Sequence, residues 1–426
     1  MITLLDKSKV SFFDYFYLFC VIIFAAQSSG LVRGFGDIRT VGNSFLLGMT
    51  FLYAMHRKVT IDRTFFTVVG VLTLYSALVI VATHSSEYFI YEYSRWIMVF
   101  LVSFVICKGY GYRLFIISET ILYHLAIIAL IGWVILILFP YQFTELASHI
   151  SLKGFNEGGD AYADLYAEYN IIIYTINGIN HLGETGDFYL FTRNAGFAWE
   201  PGVFACFMCF AIYFNIMRVG RFRHNKVFFV FLIALISTQS TTGYVTFALM
   251  MIIWVATSRK LYWLLVLIPV ILLGLNLPFI SEKIIANTED IRSVTLESAA
   301  QDGRYDRLFS FALLWDEFLL HPILGYGFSE STLMKYDIFV FSGIGKLLAQ
   351  YGIIMSLLLL ALLCNTSRNL NMITHSRMGY ALLIIMLGMM ISYSIWNQPF
   401  FATFWLYSVF IKGTPKQVQL TVLKST

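Results

Sequence analysis

Twelve predominantly apolar stretches recur along the 426 residues and constrain the fold more than any other feature. A helix needs about 20 mostly apolar residues to cross the hydrocarbon of a bilayer. A lipid-exposed span must satisfy its own backbone, so each stretch is predicted to be helical. The stretches are 12–28, 41–56, 64–83, 88–107, 114–139, 201–217, 227–239, 242–257, 261–278, 341–363, 378–395 and 399–411. The chain is therefore predicted to be an all-α integral membrane protein with about twelve transmembrane helices.

The composition excludes an ordinary soluble domain. Only 13% of the residues are charged, 58% are hydrophobic, and the mean hydropathy is +0.74. Soluble domains carry roughly 25% charged residues, which is about twice as many. The lipid bilayer must therefore solvate much of this chain.

Basic residues predict the orientation. Eighteen of the 29 Lys and Arg residues lie at the termini or in the segments after even-numbered spans, ten lie on the opposite side, and Arg95 falls within a span. Because Lys and Arg favour the cytoplasmic side, both termini are predicted to be cytoplasmic. The first apolar stretch is interpreted as an uncleaved helix rather than a signal peptide. The prediction is a single membrane domain, 1–426, with two large outer loops at 141–200 and 279–340 that contain short helices.

The first outer loop is acidic, rich in Tyr, Asn and Gly, and ends in RNAGFAWEPG at 193–202. Its aromatic and amide side chains suit a sugar-binding surface, although a solvated loop with interfacial tyrosines has the same composition. Pro201 suits a first helical turn, which puts Glu200 at the cap near the positive end of the helix dipole. A capped helix explains Glu200 and Pro201, but it does not explain Arg193 on a side where basic residues are sparse.

The second outer loop contains DGRYDR at 302–307 and HPILGYG at 321–327. Asp302 and Gly303 suit a helix start, and Arg304 and Arg307, spaced i,i+3, would share one helix face. Paired guanidinium groups match the two phosphates of a diphosphate. A membrane-surface helix whose arginines bind Asp306 or lipid headgroups is the alternative.

His321 precedes Pro322 and is interpreted either as a functional imidazole or as a structural cap. An unbroken helix rises 1.5 Å per residue, so Arg304 and His321 would lie about 25 Å apart and could not touch one diphosphate.

Few ionisable residues fall within the spans. Glu92 and Arg95 are spaced i,i+3, while Glu119 and His124 lie in the fifth span. Such residues are functional candidates, but Glu92 and Arg95 also suit a structural ion pair. The CxxC pair at 206–209 is interpreted as helix packing, and no His/Cys spacing typical of a metal site occurs.

Five local motifs on this topology resemble the bacterial O-antigen polymerase (Wzy-type) and O-antigen ligase superfamily, membrane glycosyltransferases of the GT-C kind. They are the R…G…WEPG pattern of 193–202, STTG at 240–243, Gly303-Arg304, HP…GYG at 321–327, and LLAQYGI at 347–353. Ligases of this kind tend to carry a His-Asn pair shortly before the last motif. Here 339–343 read FVFSG without a histidine, which favours the polymerase branch.

The resemblance implies a metal-independent glycosyltransferase without a cofactor, acting in lipopolysaccharide biosynthesis at the outer face of the bacterial inner membrane. Donor and acceptor would both be undecaprenyl diphosphate-linked oligosaccharide repeat units, joined with inversion. Arg193, Arg304 and Arg307 would bind the diphosphate, and Glu200, His321 or Asp302 would be the general base.

A chain-length regulator protein is an expected partner, and no sequence feature indicates binding to nucleic acid. The alternatives are a ligase that transfers polysaccharide to lipid A-core and, from another class, a polysaccharide flippase or transporter. A transporter would often show related halves or interrupted midplane helices.

Overall fold

A computed structural model describes residues 10–26, 38–84, 89–150, 169–171, 173–176, 192–220, 224–258, 307–327, 342–374 and 378–411. These residues form helices α1 to α13 and one two-stranded hairpin. The helices are Phe12–Ala25 (α1), Ile38–Arg57 (α2), Arg63–Thr83 (α3), Phe89–Tyr110 (α4), Arg113–Leu138 (α5), Pro140–Ile150 (α6), Pro201–Val219 (α7), Lys226–Ser237 (α8), Thr241–Ser258 (α9), Arg307–Leu320 (α10), Gly343–Thr374 (α11), Gly379–Met390 (α12) and Pro399–Phe410 (α13).

Eleven of the twelve predicted spans coincide with a helix, and the span at 261–278 lies outside the described residues. Five helices (α3, α4, α5, α7 and α11) are long and apolar enough to cross a membrane, and five shorter helices are also apolar. The helical, multi-pass character is confirmed, while the count of twelve spans stays a prediction.

Local sequence explains where several helices begin. Ser11 and Asp14 form a reciprocal capping box at α1, and the Asp62 carboxylate accepts from two backbone N–H groups at the start of α3. Proline occupies the first turn of α7 and α13, where its missing N–H has no partner to lose. The breaks near 240 and 397 are a turn at 238–240 and a short 3₁₀ helix, Ile395–Asn397.

The predicted outer loops contain short elements. Helix α6 opens the first loop, and α10 lies in the second. Strands β1 (Tyr169–Ile171) and β2 (Tyr174–Ile176) form an antiparallel hairpin in which Asn170 is opposite Thr175. The purely helical expectation missed this hairpin because three-residue strands carry almost no periodic signal. The positions of both loops on the outer side stay predictions.

The chain divides into two compact units that interleave along the sequence. The first comprises Met1–Lys58, Tyr110–Leu264 and Lys416–Thr426, and the second comprises Val59–Gly109 and Leu265–Pro415. In the first unit, α5 packs against α7 and α8, and α7 is buried along nearly its whole length. In the second, α11 packs against α10, α12 and α13. The prediction of a single domain stays untested.

Candidate functional site

The segment around Arg193 is fixed to the turn that precedes α9. Asn194 donates its backbone N–H to the Ser237 carbonyl at 3.0 Å and its amide to the Ser237 hydroxyl at 2.9 Å. The Arg193 Nε donates to the Thr238 carbonyl oxygen at 3.1 Å. The STTG motif begins at the end of this turn, where the Ser240 hydroxyl accepts from the backbone N–H of Gly243 at 3.3 Å. The structure therefore brings Arg193 and Asn194 to the turn before the STTG motif, more than 40 residues along the chain.

Other contacts hold the same segment from its other sides. The Trp133 indole donates to the Thr192 carbonyl at 2.7 Å, and the Thr175 N–H of the hairpin donates to the Gly196 carbonyl at 2.7 Å. Gly196 has φ +56°, and a Cβ there would lie 2.8 Å from the Phe204 ring. These contacts restrain the backbone on both sides of Arg193, and the Arg193 side chain is partly exposed.

Glu200 is the N-cap residue of α7 and Pro201 is its first residue, as the sequence indicated. The Glu200 side chain makes no capping hydrogen bond, although its backbone carbonyl accepts from Val203 and Phe204. A capping role therefore does not account for the carboxylate, which lies near the positive end of the α7 dipole.

The aromatic residues of the first loop do not all serve one purpose. Tyr174 is buried, and its ring occupies the space where a Cβ on Gly132 of α5 would lie. It belongs to a small core with Leu136, Ala147 and Ile176. Tyr141, in contrast, is exposed. Tyr174 is thus a packing residue, and only exposed aromatics such as Tyr141 remain candidates for sugar contacts.

Three predicted site residues cannot be assessed from the described side chains. Asp302 and Arg304 lie outside the described residues. Arg307 is the first residue of α10, but the described part of the structure does not include its side chain. The proposed i,i+3 pairing of Arg304 with Arg307 therefore stays a prediction.

His321 follows the last residue of α10. Its backbone N–H donates to Phe318 at 3.1 Å, and its carbonyl accepts from Gly325 at 2.9 Å. The imidazole is exposed and makes no hydrogen bond to a described residue. The backbone of His321 thus closes the helix end, which leaves the side chain available for another role.

The HPILGYG and LLAQYGI motifs bind each other through their backbones. Helix α11 is interrupted at Gly352, which has φ +65° and ψ −175°. The carbonyls of Ala349 and Gln350 accept from the N–H groups of 326 and 327 at 3.0 and 2.8 Å, and the Ile353 N–H donates to the Pro322 carbonyl at 2.9 Å. The loop therefore satisfies backbone groups that the interruption would otherwise leave unpaired in an apolar environment.

The interruption fixes Tyr351 beside two residues of α4. The Tyr351 hydroxyl donates to the Glu92 carboxylate at 3.1 Å and accepts from the Trp96 indole at 3.1 Å. Trp96, Tyr351 and Trp396 are all buried, with ring centroids 5.2 to 5.7 Å apart. This aromatic cluster holds the Tyr351 hydroxyl in contact with the polar group that contains Glu92 and Arg95.

That polar group contains Glu92 and Arg95, which the sequence identified as candidates, and Lys346, which the sequence analysis missed. Arg95 pairs with Glu92 at 3.5 Å, so the ion pair that their i,i+3 spacing suggested is present. With the Asn397 amide oriented so that its nitrogen donates to the Ser394 carbonyl at 2.6 Å, its oxygen accepts from Arg95 at 2.9 Å. Lys346, in the first turn of α11, lies within electrostatic range of Arg95. A basic residue at the start of an apolar helix was the available signal.

The candidates fall into two groups. Arg193 and Glu200 belong to the first unit, whereas His321, Arg95 and Lys346 belong to the second. Within the described ranges, no group of three or more His, Cys, Asp or Glu side chains is arranged to hold a metal ion. The predicted metal independence remains a prediction.

Comparison with known proteins gives one match. A family model, Wzy_C, described as O-antigen ligase, matches residues 227–346. The match includes the STTG and HP…GYG motifs, the Gly303-Arg304 pair, and Lys346 as its last residue. No curated protein and no solved structure matches the chain.

The match confirms the resemblance found in the motifs. Together with the five long apolar helices, it supports a multi-pass membrane protein of lipopolysaccharide biosynthesis. It also supports a glycosyltransferase-like enzyme that acts on lipid-linked polysaccharide, of either the ligase or the polymerase type.

Proposed function

The match supports membership of the O-antigen polymerase and ligase superfamily, and on that premise we propose that the protein is a surface-polysaccharide polymerase. It joins oligosaccharide repeat units linked to undecaprenyl diphosphate at the outer face of the inner membrane, with both of its termini in the cytoplasm. The observation that carries this proposal is the hydrogen bond from Arg193 to the turn before the STTG motif. It holds Arg193, a predicted diphosphate-binding residue, next to a motif of the family.

The sequence before LLAQYGI, which has no histidine at 339–343, is the feature that supports a polymerase over a ligase. Ser342 is buried, and its hydroxyl accepts from the Gly345 N–H at 3.2 Å, so it acts as a helix cap. A Cβ on Gly343 would collide with the Tyr393 carbonyl. The positions that precede LLAQYGI therefore serve helix geometry, and no histidine occurs in 339–343.

The proposed reaction is a substitution at the anomeric carbon of the donor sugar. The acceptor hydroxyl oxygen forms the new bond, the bond to the diphosphate oxygen breaks, and that oxygen keeps the electron pair. The hydroxyl proton passes to a general base, with inversion of the anomeric centre. Glu200 and His321 are proposed for the base because neither side chain is used as a helix cap, and Asp302 is the third candidate.

Arg193, Arg304 and Arg307 are proposed to neutralise the leaving diphosphate. Guanidinium groups form charge-assisted, bidentate hydrogen bonds with phosphate oxygens. Fixed cations stabilise developing charge without reorganising during the reaction. This arrangement would perform the reaction without a metal ion, and chain length would be set by the enzyme or by a regulator protein.

Two observations keep the alternatives in view. The matched family model is described as a ligase, and helix α11 is interrupted, as helices of transporters often are. At the interruption, however, the loop at 322–327 provides partners for backbone groups of α11. Those groups are therefore not available to coordinate a transported ion or sugar.

The test is to incubate the purified protein, without metal, with one undecaprenyl diphosphate-linked repeat unit and to separate the products on a gel. A ladder of repeats supports the polymerase. Transfer only after addition of lipid A-core would indicate the ligase, and intact substrate under both conditions would indicate transport.

Arg193→Ala is expected to reduce the polymerisation rate by about 10² to 10³, the usual effect of removing one preorganised donor. The matched control is Arg63→Ala, because Arg63 is an exposed arginine at the start of α3. A variant Arg193→Ala with the wild-type rate would contradict the proposal. Full polymer length and yield in cells carrying Arg304→Ala would remove Arg304 from the diphosphate site.

A further inference from the structure

Three ionisable side chains of the second unit carry unequal charge. Glu92 and Arg95 of α4 form an ion pair, and Lys346 of α11 lies within electrostatic range of Arg95. The start of α11 is held near this pair, because the Trp396 indole donates to the Gly343 carbonyl at 3.2 Å and the neighbouring Asn397 accepts from Arg95. Arg95 is 3.5 Å from Glu92 through one nitrogen, which is longer and less complete than a bidentate pair. If all three are ionised, the cluster has a net charge of +1.

Lys346 is not compensated within the described part of the chain. No described carboxylate forms an ion pair with its ammonium, and no described residue accepts a hydrogen bond from it. It also lies in the first turn of α11, where the helix dipole disfavours a cation. An uncompensated charge within apolar helices is costly and is a functional candidate by default.

The two cations are accessible rather than sealed. The Arg95 side chain is 32% exposed, and Lys346 is partly exposed. The hydroxyl of buried Tyr351 donates to the Glu92 carboxylate, and the rings of Trp96 and Trp396 pack against Tyr351. The cluster thus has two partly exposed cationic side chains and one carboxylate, and a bound anion would balance its excess positive charge.

We propose that Arg95 and Lys346 bind the phosphate groups of a lipid-linked diphosphate. A planar guanidinium and an ammonium suit phosphate oxygens, and both residues lie in apolar helices that a lipid-attached phosphate can approach. The inference rests on the proposed function: a polymerase handles two lipid diphosphates, the donor and the acceptor. The diphosphate site of the proposed function would bind one, and Arg95 with Lys346 would bind the other. Phospholipid headgroups present the same phosphate chemistry and are the competing source.

The experiment is native mass spectrometry of the full-length protein in detergent with undecaprenyl diphosphate as the probe. The wild type is expected to bind two molecules. Lys346→Gln and Arg95→Gln are each expected to bind one fewer, or to weaken the second binding event by about tenfold or more, which corresponds to loss of one ionic hydrogen bond. Arg95→Lys keeps the charge and should restore part of the binding.

Lys108→Gln is the matched control, because Lys108 is a lysine of the same unit that pairs with Asp62 at 2.7 Å. It should bind as the wild type does. Unchanged stoichiometry and affinity in both Lys346→Gln and Arg95→Gln would overturn the proposal. So would a loss of dioleoylphosphatidylglycerol binding with intact undecaprenyl diphosphate binding, since the site would then hold a phospholipid headgroup.

Circular dichroism melting of each variant verifies that it is folded before binding is compared. Binding is measured without turnover, so its result is separate from that of the polymerase. A wild type that produces a ladder while the variants bind normally would reject only this inference. A wild type that makes no glycosidic product would reject the proposed function, and the measured stoichiometry would still test the cluster.

Discussion

Glu119 of α5 and Glu92 of α4 are both acidic residues within membrane-spanning helices that pair with an arginine, yet the two pairs differ in completeness. Arg218 binds Glu119 with two nitrogens at 2.7 and 2.6 Å, and the Asn215 amide adds a third hydrogen bond at 2.7 Å. Glu92 has one arginine nitrogen at 3.5 Å and the Tyr351 hydroxyl. We call the first the closed pair and the second, with Lys346, the open cluster.

The difference teaches how to separate structural from functional charges in a membrane protein. In the closed pair, Asn225 also binds Asn215, so the buried carboxylate and its neighbours have partners. Removing one partner of such a pair is costly because it leaves an uncompensated charge. The open cluster has an excess cation that the described residues do not satisfy. Completeness of pairing, rather than the presence of charge, distinguishes the two.

The largest expected effect comes from a side chain at Gly352, where helix α11 is interrupted next to the open cluster. Gly352 has φ and ψ that only glycine adopts readily, and a Cβ there would collide with the Ile323 carbonyl. Gly352→Val is expected to cost about 4 kcal/mol, from backbone strain together with overpacking. The measurement is thermal unfolding of the purified protein followed by circular dichroism.

The matched control for this change is Gly70→Ala in α3. Nothing lies within 4 Å of a Cβ at Gly70, so alanine should be tolerated and should stabilise the helix by about 0.5 to 1 kcal/mol. If Gly352→Val melts at the wild-type temperature, the interruption of α11 does not hold the cluster together.

The closed pair and the open cluster should respond differently to the same substitution. Glu119→Gln is expected to cost about 3 kcal/mol, because the buried Glu119 carboxylate accepts three short hydrogen bonds and a glutamine amide has only one oxygen to accept them. Glu92→Gln should cost about 1 kcal/mol or less, because Glu92 has a single arginine nitrogen at 3.5 Å and Arg95 keeps Asn397 as a partner. Thermal unfolding compares the two variants directly.

Equal losses of stability in these two variants would remove the distinction between the two pairs. Glu92→Gln carries a second expectation that Glu119→Gln does not. Because it removes the negative charge beside Arg95, undecaprenyl diphosphate should bind the open cluster more tightly.

The smallest effect is expected at an ion pair outside the spans. Burial alone would raise the pKa of Asp62, but hydrogen bonds from Lys108 and from the backbone N–H groups of Phe65 and Thr64 lower that pKa below its usual value. A lowered folded-state pKa gives stability that is present above the unfolded value, about 3.9, and is lost as pH falls through the folded value. Both side chains are partly exposed, so the contribution of the pair should be below about 1 kcal/mol.

The measurement compares the melting of the wild type and Asp62→Asn at pH 6 and again as the pH is lowered below about 4. Asparagine also caps helices, so the variant removes the charge and keeps the cap. The difference between the two proteins should shrink as the pH falls and also with added salt. A difference that grows towards acidic pH would show that the carboxylate of Asp62 does not prefer its charged form in the folded state.

The sequence alone determined the helical membrane class, the approximate positions of eleven helices, and the first turn of α7. These features depend on local properties: apolar length, the scarcity of charge, and proline beside Glu200. It also identified motifs that belong together, and the family match agrees with that resemblance.

Only the tertiary structure decided which distant residues meet. The periodicity of α11 gives no sign that Gly352 interrupts it or that the loop at 322–327 supplies the missing backbone partners. Glu119 and Arg218 are far apart in sequence, as are Arg95 and Lys346, so neither relationship is visible in spacing along one helix. Local sequence sets the free energy of forming each helix, whereas satisfaction of a buried charge depends on partners that only chain folding brings within hydrogen-bonding distance.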